Sequence, residues 1–260
     1  MAVVRPVPSS YYYSGQGRLG IGDRNATTGQ LDNVVFVGNV TSLTLDIAIQ
    51  KFEHKEAQSG DRSIDLTVVQ EKNATFKFTS ESLTLDMLAL GLYGTQSSVV
   101  GATVTGETHT VKKGYAIPLK HPKLTGAPVV TKVVGATVVA AAGNWDYDDD
   151  FGTIYILAGA TDLTDGDAVT IGYTYGGYSK NEAFTVQTPP ERYLRFEGLN
   201  TVDGGLRLLE VPRAAFDPLT GLEFINEELG SGEFAGNCLP DLTISTAGVS
   251  RYFREKRMTA

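Results

Sequence analysis

A single cysteine, Cys238, stands in 260 residues, so no disulfide can form within the chain. No Cys/His group has the spacing of a zinc site. No run approaches the ~18 apolar residues that a membrane-spanning helix needs, and no membrane insertion is expected. The opening MAVVRPVPSSYYY lacks the apolar stretch of a secretion signal, so folding in a reducing cytoplasm is the expectation. The Asn-x-Thr triplets at Asn25, Asn39 and Asn73 then carry no glycan. Positive charge is scarce: 22 Lys and Arg against 30 Asp and Glu give a formal charge of −8. That argues against an outer surface that grips nucleic acid by neutralising phosphates, though not against a conduit that must release it.

Catalytic signatures are missing too. There is no Gly-x-Ser-x-Gly elbow and no phosphate-binding loop. His54, His109 and His121 sit in polar or turn-like contexts without an evident nucleophile. With 30 acidic residues some carboxylate pair at glycosidase spacing is almost guaranteed, and nothing singles one out. Residues 146–167 hold seven Asp and no Lys or Arg. As a calcium loop starting at Asp146, this stretch would need Gly at its sixth position and a carboxylate at its twelfth, but it has Phe151 and Leu157. It reads as an acidic turn before a strand. Gly15-x-Gly17-x-x-Gly20 matches the dinucleotide fingerprint letter for letter, but no buried strand precedes it and no helix follows, so backbone joints are the simpler reading. The expectation is no enzyme, no catalytic residue, no cofactor and no metal.

What the chain does have is alternation. Leu43, Leu45, Ile47 and Ile49 alternate with Thr44, Asp46, Ala48 and Gln50, a two-faced strand. The pattern returns as Ile64, Leu66 and Val68 against Asp65 and Thr67, breaks at Val68-Val69, and resumes as Ala74, Phe76 and Phe78. One slipped residue swaps the faces, so a β-bulge or bend is expected between Val69 and Asn73, within a long hairpin over about 40–78. Its tip, Glu53–Arg62, carries both charge signs. A helix is predicted over 80–94, capped by Ser80 and ended by Gly94, with Leu83, Met87 and Leu90 on one side and Leu85, Leu88 and Leu92 on the other.

From about 98 to 178 the strands become short and rich in Val, Thr, Ala and Gly, punctuated by turn residues, as in a small sandwich. Longer amphipathic strands then return, at Phe184–Gln187, Tyr193–Leu199 and Leu206–Val211 around the turn Val202–Gly205. A closing strand is expected in Gly232–Leu239 and a basic tail in Arg251–Arg257. The chain therefore reads as a discontinuous main domain, 1–97 and 179–260, with an immunoglobulin-like β-domain inserted at 98–178.

Several stretches together resemble one family. They are Tyr12-Tyr13-Ser14-Gly15-Gln16-Gly17-Arg18-Leu19, Gly38-Asn39-Val40-Thr41-Ser42-Leu43-Thr44-Leu45, Lys51-Phe52-Glu53-His54-Lys55-Glu56 and Ala89-Leu90-Gly91-Leu92-Tyr93-Gly94. With Gly232-Glu233-Phe234-Ala235-Gly236-Asn237-Cys238-Leu239 they are similar to the major tail tube protein of long-tailed, siphovirus-type bacteriophages. The stretches around Trp145 and Asp165–Tyr175 resemble the accessory β-domain of such tail proteins. The resemblance implies a mainly β fold, a tail-tube β-sandwich or partial barrel with one flanking α-helix and a long hairpin. It implies a virion structural protein, made and assembled in the host cytoplasm, whose subunits form hexameric rings stacked into a tube. Its partners would be further copies of itself, the tape-measure protein and transiting DNA in the lumen, and the tail terminator and distal tail proteins. On that reading Thr44, Asp46, Ala48, Gln50, Asp65 and Thr67 are expected to face the lumen. Ring-to-ring contacts are expected from Glu53, His54, Lys55, Glu56, Gln58, Asp61 and Arg62 at the tip, from Arg251, Arg254, Lys256 and Arg257 in the tail, and from the N-terminal arm. The main alternative class is a β-rich adhesin or carbohydrate-binding module.

Overall fold

The structure, a computed structural model, describes residues 12–25 and 27–258. In chain order, β1 (Gly15–Arg24), β2 (Leu31–Phe36), β3 (Val40–Lys55) and β4 (Ile64–Ser80) precede α1 (Leu85–Gly91). Nine strands follow: β5 (Thr95–Val99), β6 (Ala102–Thr110), β7 (Ala116–Pro118), β8 (Val129–Lys132), β9 (Val138–Val139), β10 (Trp145–Asp148), β11 (Thr153–Ile156), β12 (Ala168–Tyr175) and β13 (Tyr178–Glu182). β14 (Glu191–Asn200), β15 (Leu206–Phe216), β16 (Gly232–Cys238) and β17 (Arg254–Met258) close the chain. The fold is mainly β, with several antiparallel sheets, none closed into a barrel. Two compact units are present: one is the chain up to Thr95 together with the chain from Asn181, the other is Gln96–Lys180.

The first unit is one antiparallel sheet in the order β2-β1-β14-β15-β16-β4-β3, with β17 lying along the first half of β15. β16 takes the second half of that same edge, so the sheet forks at β15. β2 and β3 are its open margins. The core is aromatic. Phe78 stacks on Phe234 at 5.1 Å between ring centroids, and Phe76 meets Phe216 edge-on at 4.9 Å. Leu19, Val211 and Met87 bury against the same cluster. Truncating one of these rings to Ala costs about 3–5 kcal/mol, because the rigid neighbours do not refill the space.

The helix is shorter than the sequence pattern suggests. Ser80 is the last residue of β4, fully buried and paired with both Val40 and Gly232, and is therefore not available as a cap. Thr84 caps instead, its hydroxyl accepting from the Met87 N–H at 3.3 Å. Met87 and Leu90 are buried while Leu85 is exposed, so the Met87 side faces the core. The predicted strand Phe184–Gln187 is absent: Phe184 has φ +56°, which no strand accommodates, and it is exposed.

The second unit packs a three-stranded sheet, β10-β11-β7, and a four-stranded one, β6-β12-β8-β9, around a shared core. Trp145, Ile154, Val130, Val169 and Ile171 fill it. The Trp145 indole N–H donates to the Val139 carbonyl at 3.1 Å, so its one polar atom is satisfied inside. Asn144, also buried, donates to Asp162 at 2.9 Å and accepts from the Thr161 and Asp162 amides. The strands that lead into and out of this unit, β5 and β13, pair with each other.

Candidate functional site: a projecting hairpin

β3 and β4 are 16 and 17 residues long, about three times the usual ~5–6. Their register explains what each face presents. Directly opposed residues of an antiparallel pair share a face. Near the base, Leu43 opposes Phe78 and Leu45 opposes Phe76, and this face packs on the core. The other face carries Thr44 opposite Lys77, Asp46 opposite Thr75, Ala48 opposite Asn73 and Gln50 opposite Glu71. Apart from Ala48 it is polar, and it is exposed along Thr44–Gln50.

Gln50 opposes Glu71 but Lys51 opposes Val69, so Gln70 has no partner and forms a bulge. This is where the Val68-Val69 slip had placed one. Beyond the bulge the faces of β4 exchange. Phe52 opposes Val68 and His54 opposes Leu66, on the face that was polar at the base. Glu53 opposes Thr67, on the face that was apolar. Thr67 therefore does not share a face with Thr44, Asp46, Ala48 and Gln50, a correction to the six-residue lining read from alternation alone. A second irregularity, where Lys55 takes Ile64 as partner, leaves Asp65 out of the ladder. Its carboxylate meets His54 Nδ1 at 2.6 Å, so Asp65 belongs with the tip and not with the polar row.

The outer half of the hairpin is bare on both faces. Ile47 and Ile49 are 64% and 50% exposed on one side, and Phe52, Leu66 and Val68 are 48%, 53% and 44% exposed on the other. The alternation had assigned one apolar face, and the second was the reading it missed. The signal was present in the adjacent valines, since a bulge that flips one strand brings apolar residues to both sides.

At the tip, Glu56 organises the turn. Its carboxylate accepts from the Ser59 hydroxyl and from the Ser59 and Gln58 amides, which hold its pKa down to about 2. Lys55 ends β3, while Gln58, Asp61 and Arg62 lie in the turn, Arg62 with φ +50°. The tip is thus a built turn.

The basic tail is part of the sheet. Arg254–Met258 forms β17 and pairs with β15. Arg254 Nε and Lys256 Nζ both lie 2.8 Å from the Glu210 carboxylate, and Arg195 approaches it at 3.6 Å. Arg257 pairs with Glu255 at 3.2 Å, and Arg251 Nε donates to the Ile244 carbonyl at 3.0 Å. These cations, expected to reach another ring, are engaged within their own unit. Burial opposes ionisation of Glu210, but the Lys256 and Arg254 hydrogen bonds outweigh it and set its pKa below the usual carboxylate value. Asp241, fully buried, is held ionised in the same way, its desolvation outweighed by Arg24 and Thr243. The N-terminal arm through Tyr11 lies outside the described residues.

The glycine fingerprint falls inside β1, with no helix after it. A Cβ on Gly17 would come within 2.7 Å of Gly198 Cα, so Gly17 serves the close approach of β1 to β14. Asp148, Asp149 and Asp150 lie in and beside the turn that leads into β11, their carboxylates within 4.8 Å of one another. Asp148 accepts from the Phe151 amide at 3.1 Å, as turn aspartates do. His109 is tied to Glu107 at 2.9 Å, and His121 stacks on Tyr175 at 4.0 Å. Among the described residues no helix is long and apolar enough to cross a membrane.

A search of curated proteins finds no match to this chain. Residues 12–256 match the family described as Protein of unknown function UCP028589, and the chain belongs to that family.

Proposed function

We propose that this protein is a structural subunit of the tail tube of a long-tailed, non-contractile bacteriophage. Six copies join into a ring, rings stack into a tube, and DNA and the tape-measure protein pass through its lumen. The role is architectural and non-catalytic, and the tube joins terminator and distal tail proteins at its ends.

One observation carries this reading: the outer half of the hairpin exposes large apolar side chains on both faces. An isolated two-stranded ribbon is marginal in water, and a ribbon left bare on both sides by the described residues is a surface for further partners. The open margins at β2 and β3 point the same way, because unpaired backbone groups at a sheet edge accept another strand. Closing copies into a ring removes those edges. The family resemblance supplies the kind of ring. The polar row Thr44, Asp46, Ala48 and Gln50, with Thr75 and Asn73 across the ladder, suits the lumen wall. Within the β3–β4 ladder and β16, three acids (Asp46, Glu71, Glu233) share this face with one base, Lys77, which is paired to Glu233 at 2.8 Å. A mildly negative stretch of wall along the hairpin lets polyanionic DNA slide without holding it.

Negative-stain electron microscopy of the concentrated protein tests the reading. Rings with a central hole, or tubes, are expected. A monomer at every concentration, with the hairpin free in solution, overturns it.

A further inference from the structure

The loop between β15 and β16 is shaped like a plug. From Ala214 to Ser250 the chain holds no Lys, Arg or His. Within that stretch Glu223, Glu227 and Glu228 surround three large apolar side chains that are almost bare: Phe224 is 86% exposed, Ile225 96% and Leu229 80%. The loop is fastened at its base, where the Leu219 amide donates to the Gly91 carbonyl at 2.8 Å and the Asp217 amide to Ala235 at 2.9 Å. Its apolar tip has no seat among the described residues of its own unit.

A matching socket lies elsewhere on the same unit. On the outer face of the sheet Leu199 opposes Leu206, and Leu206 opposes Met258, so three strands bring their apolar side chains together. With Leu208 they line a cleft of about 530 Å³ whose rim includes Arg195, Arg207 and Glu197, the last paired to Arg195 at 2.8 Å. The same face carries Arg18, Arg195, Arg254 and Lys256 against Glu197 and Glu210, four positive charges to two negative. In a chain of formal charge −8, this is a local reversal of sign. An apolar cleft with surplus cations fits an apolar segment flanked by carboxylates.

The two features lie at opposite ends of β15. Leu206 begins that strand and Phe216 ends it, about 33 Å apart at ~3.3 Å per residue. A loop hung from Leu219 and Gly232 reaches about 20 Å at full extension. No copy can fill its own socket. From this we infer that the loop Leu222–Leu229 of one copy docks into the Leu199–Leu206–Met258 cleft of the next. The contact is head-to-tail, joining different surfaces of the two partners, and such contacts propagate into rings or filaments. The inference rests on the tube reading only in taking the partner to be a second copy.

The test is a pair of cysteines in the full chain, Ile225→Cys with Met258→Cys. Cys238 is buried and burial raises its thiol pKa to about 11, which keeps it out of the oxidation. Oxidised at concentrations where the wild type assembles, the double variant is expected to give a ladder of covalent multimers, and each single variant dimers at most. Rings or tubes that form without a ladder overturn the inference and leave the tube reading standing. Bonds found only between the Ile225→Cys thiols of two copies overturn it as well, because that contact would be symmetric. A wild type that never assembles overturns both. As a second readout, Phe224→Glu is expected to lower assembly at least tenfold with an unchanged melting temperature, and a tenfold rise in salt is expected to weaken assembly of the wild type. Assembly unaffected by Phe224→Glu counts against the docking.

Discussion

Asp46 and Thr67 lie on opposite faces of one hairpin, because Gln70 between them has no partner across the ladder. A strand has a period of two, so a single unpaired residue inverts everything beyond it. The bulge carries Leu66 and Val68 to the face that is polar at the root, opposite the face that bears Ile47 and Ile49.

The two halves of the hairpin respond differently to mutation. Ile47→Ser and Phe52→Ser alter groups that touch solvent, and each is expected to change monomer stability by no more than ~0.5 kcal/mol. Both are expected to abolish assembly, read by light scattering. Phe78→Ala empties the buried core and is expected to cost about 3–5 kcal/mol in denaturant unfolding. A large stability loss in the first two variants would mean that the outer half already packs on its own chain.

Acid is expected to loosen the first unit through its paired carboxylates. Glu210, Glu191 and Asp241 all have lowered pKa values in the folded state. A group ionised more easily when folded stabilises the fold above its unfolded pKa, and that contribution fades as pH falls through the folded value. Stability is therefore expected to be flat near neutrality and to decline below about pH 4.5. Glu210→Gln leaves Arg254 and Lys256 without their common partner and is expected to cost about 1.5–3 kcal/mol at pH 7, the range for hydrogen bonds to charged groups. That variant should also lose less stability than the wild type on acidification. Parallel pH profiles for the two proteins would refute the assignment.

The chain's one tryptophan, Trp145, lies in the second unit, so its fluorescence reports that unit alone. Circular dichroism reports both. The two probes are expected to give separate unfolding transitions. Replacing Gln96–Lys180 by a short glycine linker is expected to leave the first unit folded, with its own cooperative melt. Coincident transitions, or failure of the shortened chain to fold, would contradict this.

On the proposed lumen wall, Asp46→Lys is expected to leave assembly intact, since Asp46 opposes Thr75 on an exposed polar surface. It adds two positive charges per copy relative to wild type and should slow DNA passage, measured as ejection kinetics from reconstituted virions. Asp65→Lys is expected to act differently, since it breaks the contact with His54 at the tip. Unchanged ejection with Asp46→Lys would remove that residue from the wall.

The hairpin and its bulge were legible because alternation over more than ten residues has one simple explanation, and two adjacent valines have to break it. The extent of the helix was not. Ser80 looks like a cap in sequence, but Phe76 and Phe78 before it continue a strand whose pairing with β16 runs through Ser80. The strand in the basic tail was not legible either, because Arg251–Arg257 is a run of charge. Its strand character depends on Glu210, an acid buried within a Leu-Leu-Glu-Val stretch that no local pattern distinguishes. Phe184 alternates like a strand residue but adopts φ +56°, a conformation that alternation cannot report. The socket was hidden for a similar reason: Leu199, Leu206 and Met258 meet only once three strands distant in sequence are in register.

The pairing of β5 with β13 sets the two ends of the second unit's chain side by side. A module whose termini are neighbours can be gained, lost or exchanged by recombination without tearing the scaffold that carries it. The first unit and the unit it carries are thus free to change at different rates.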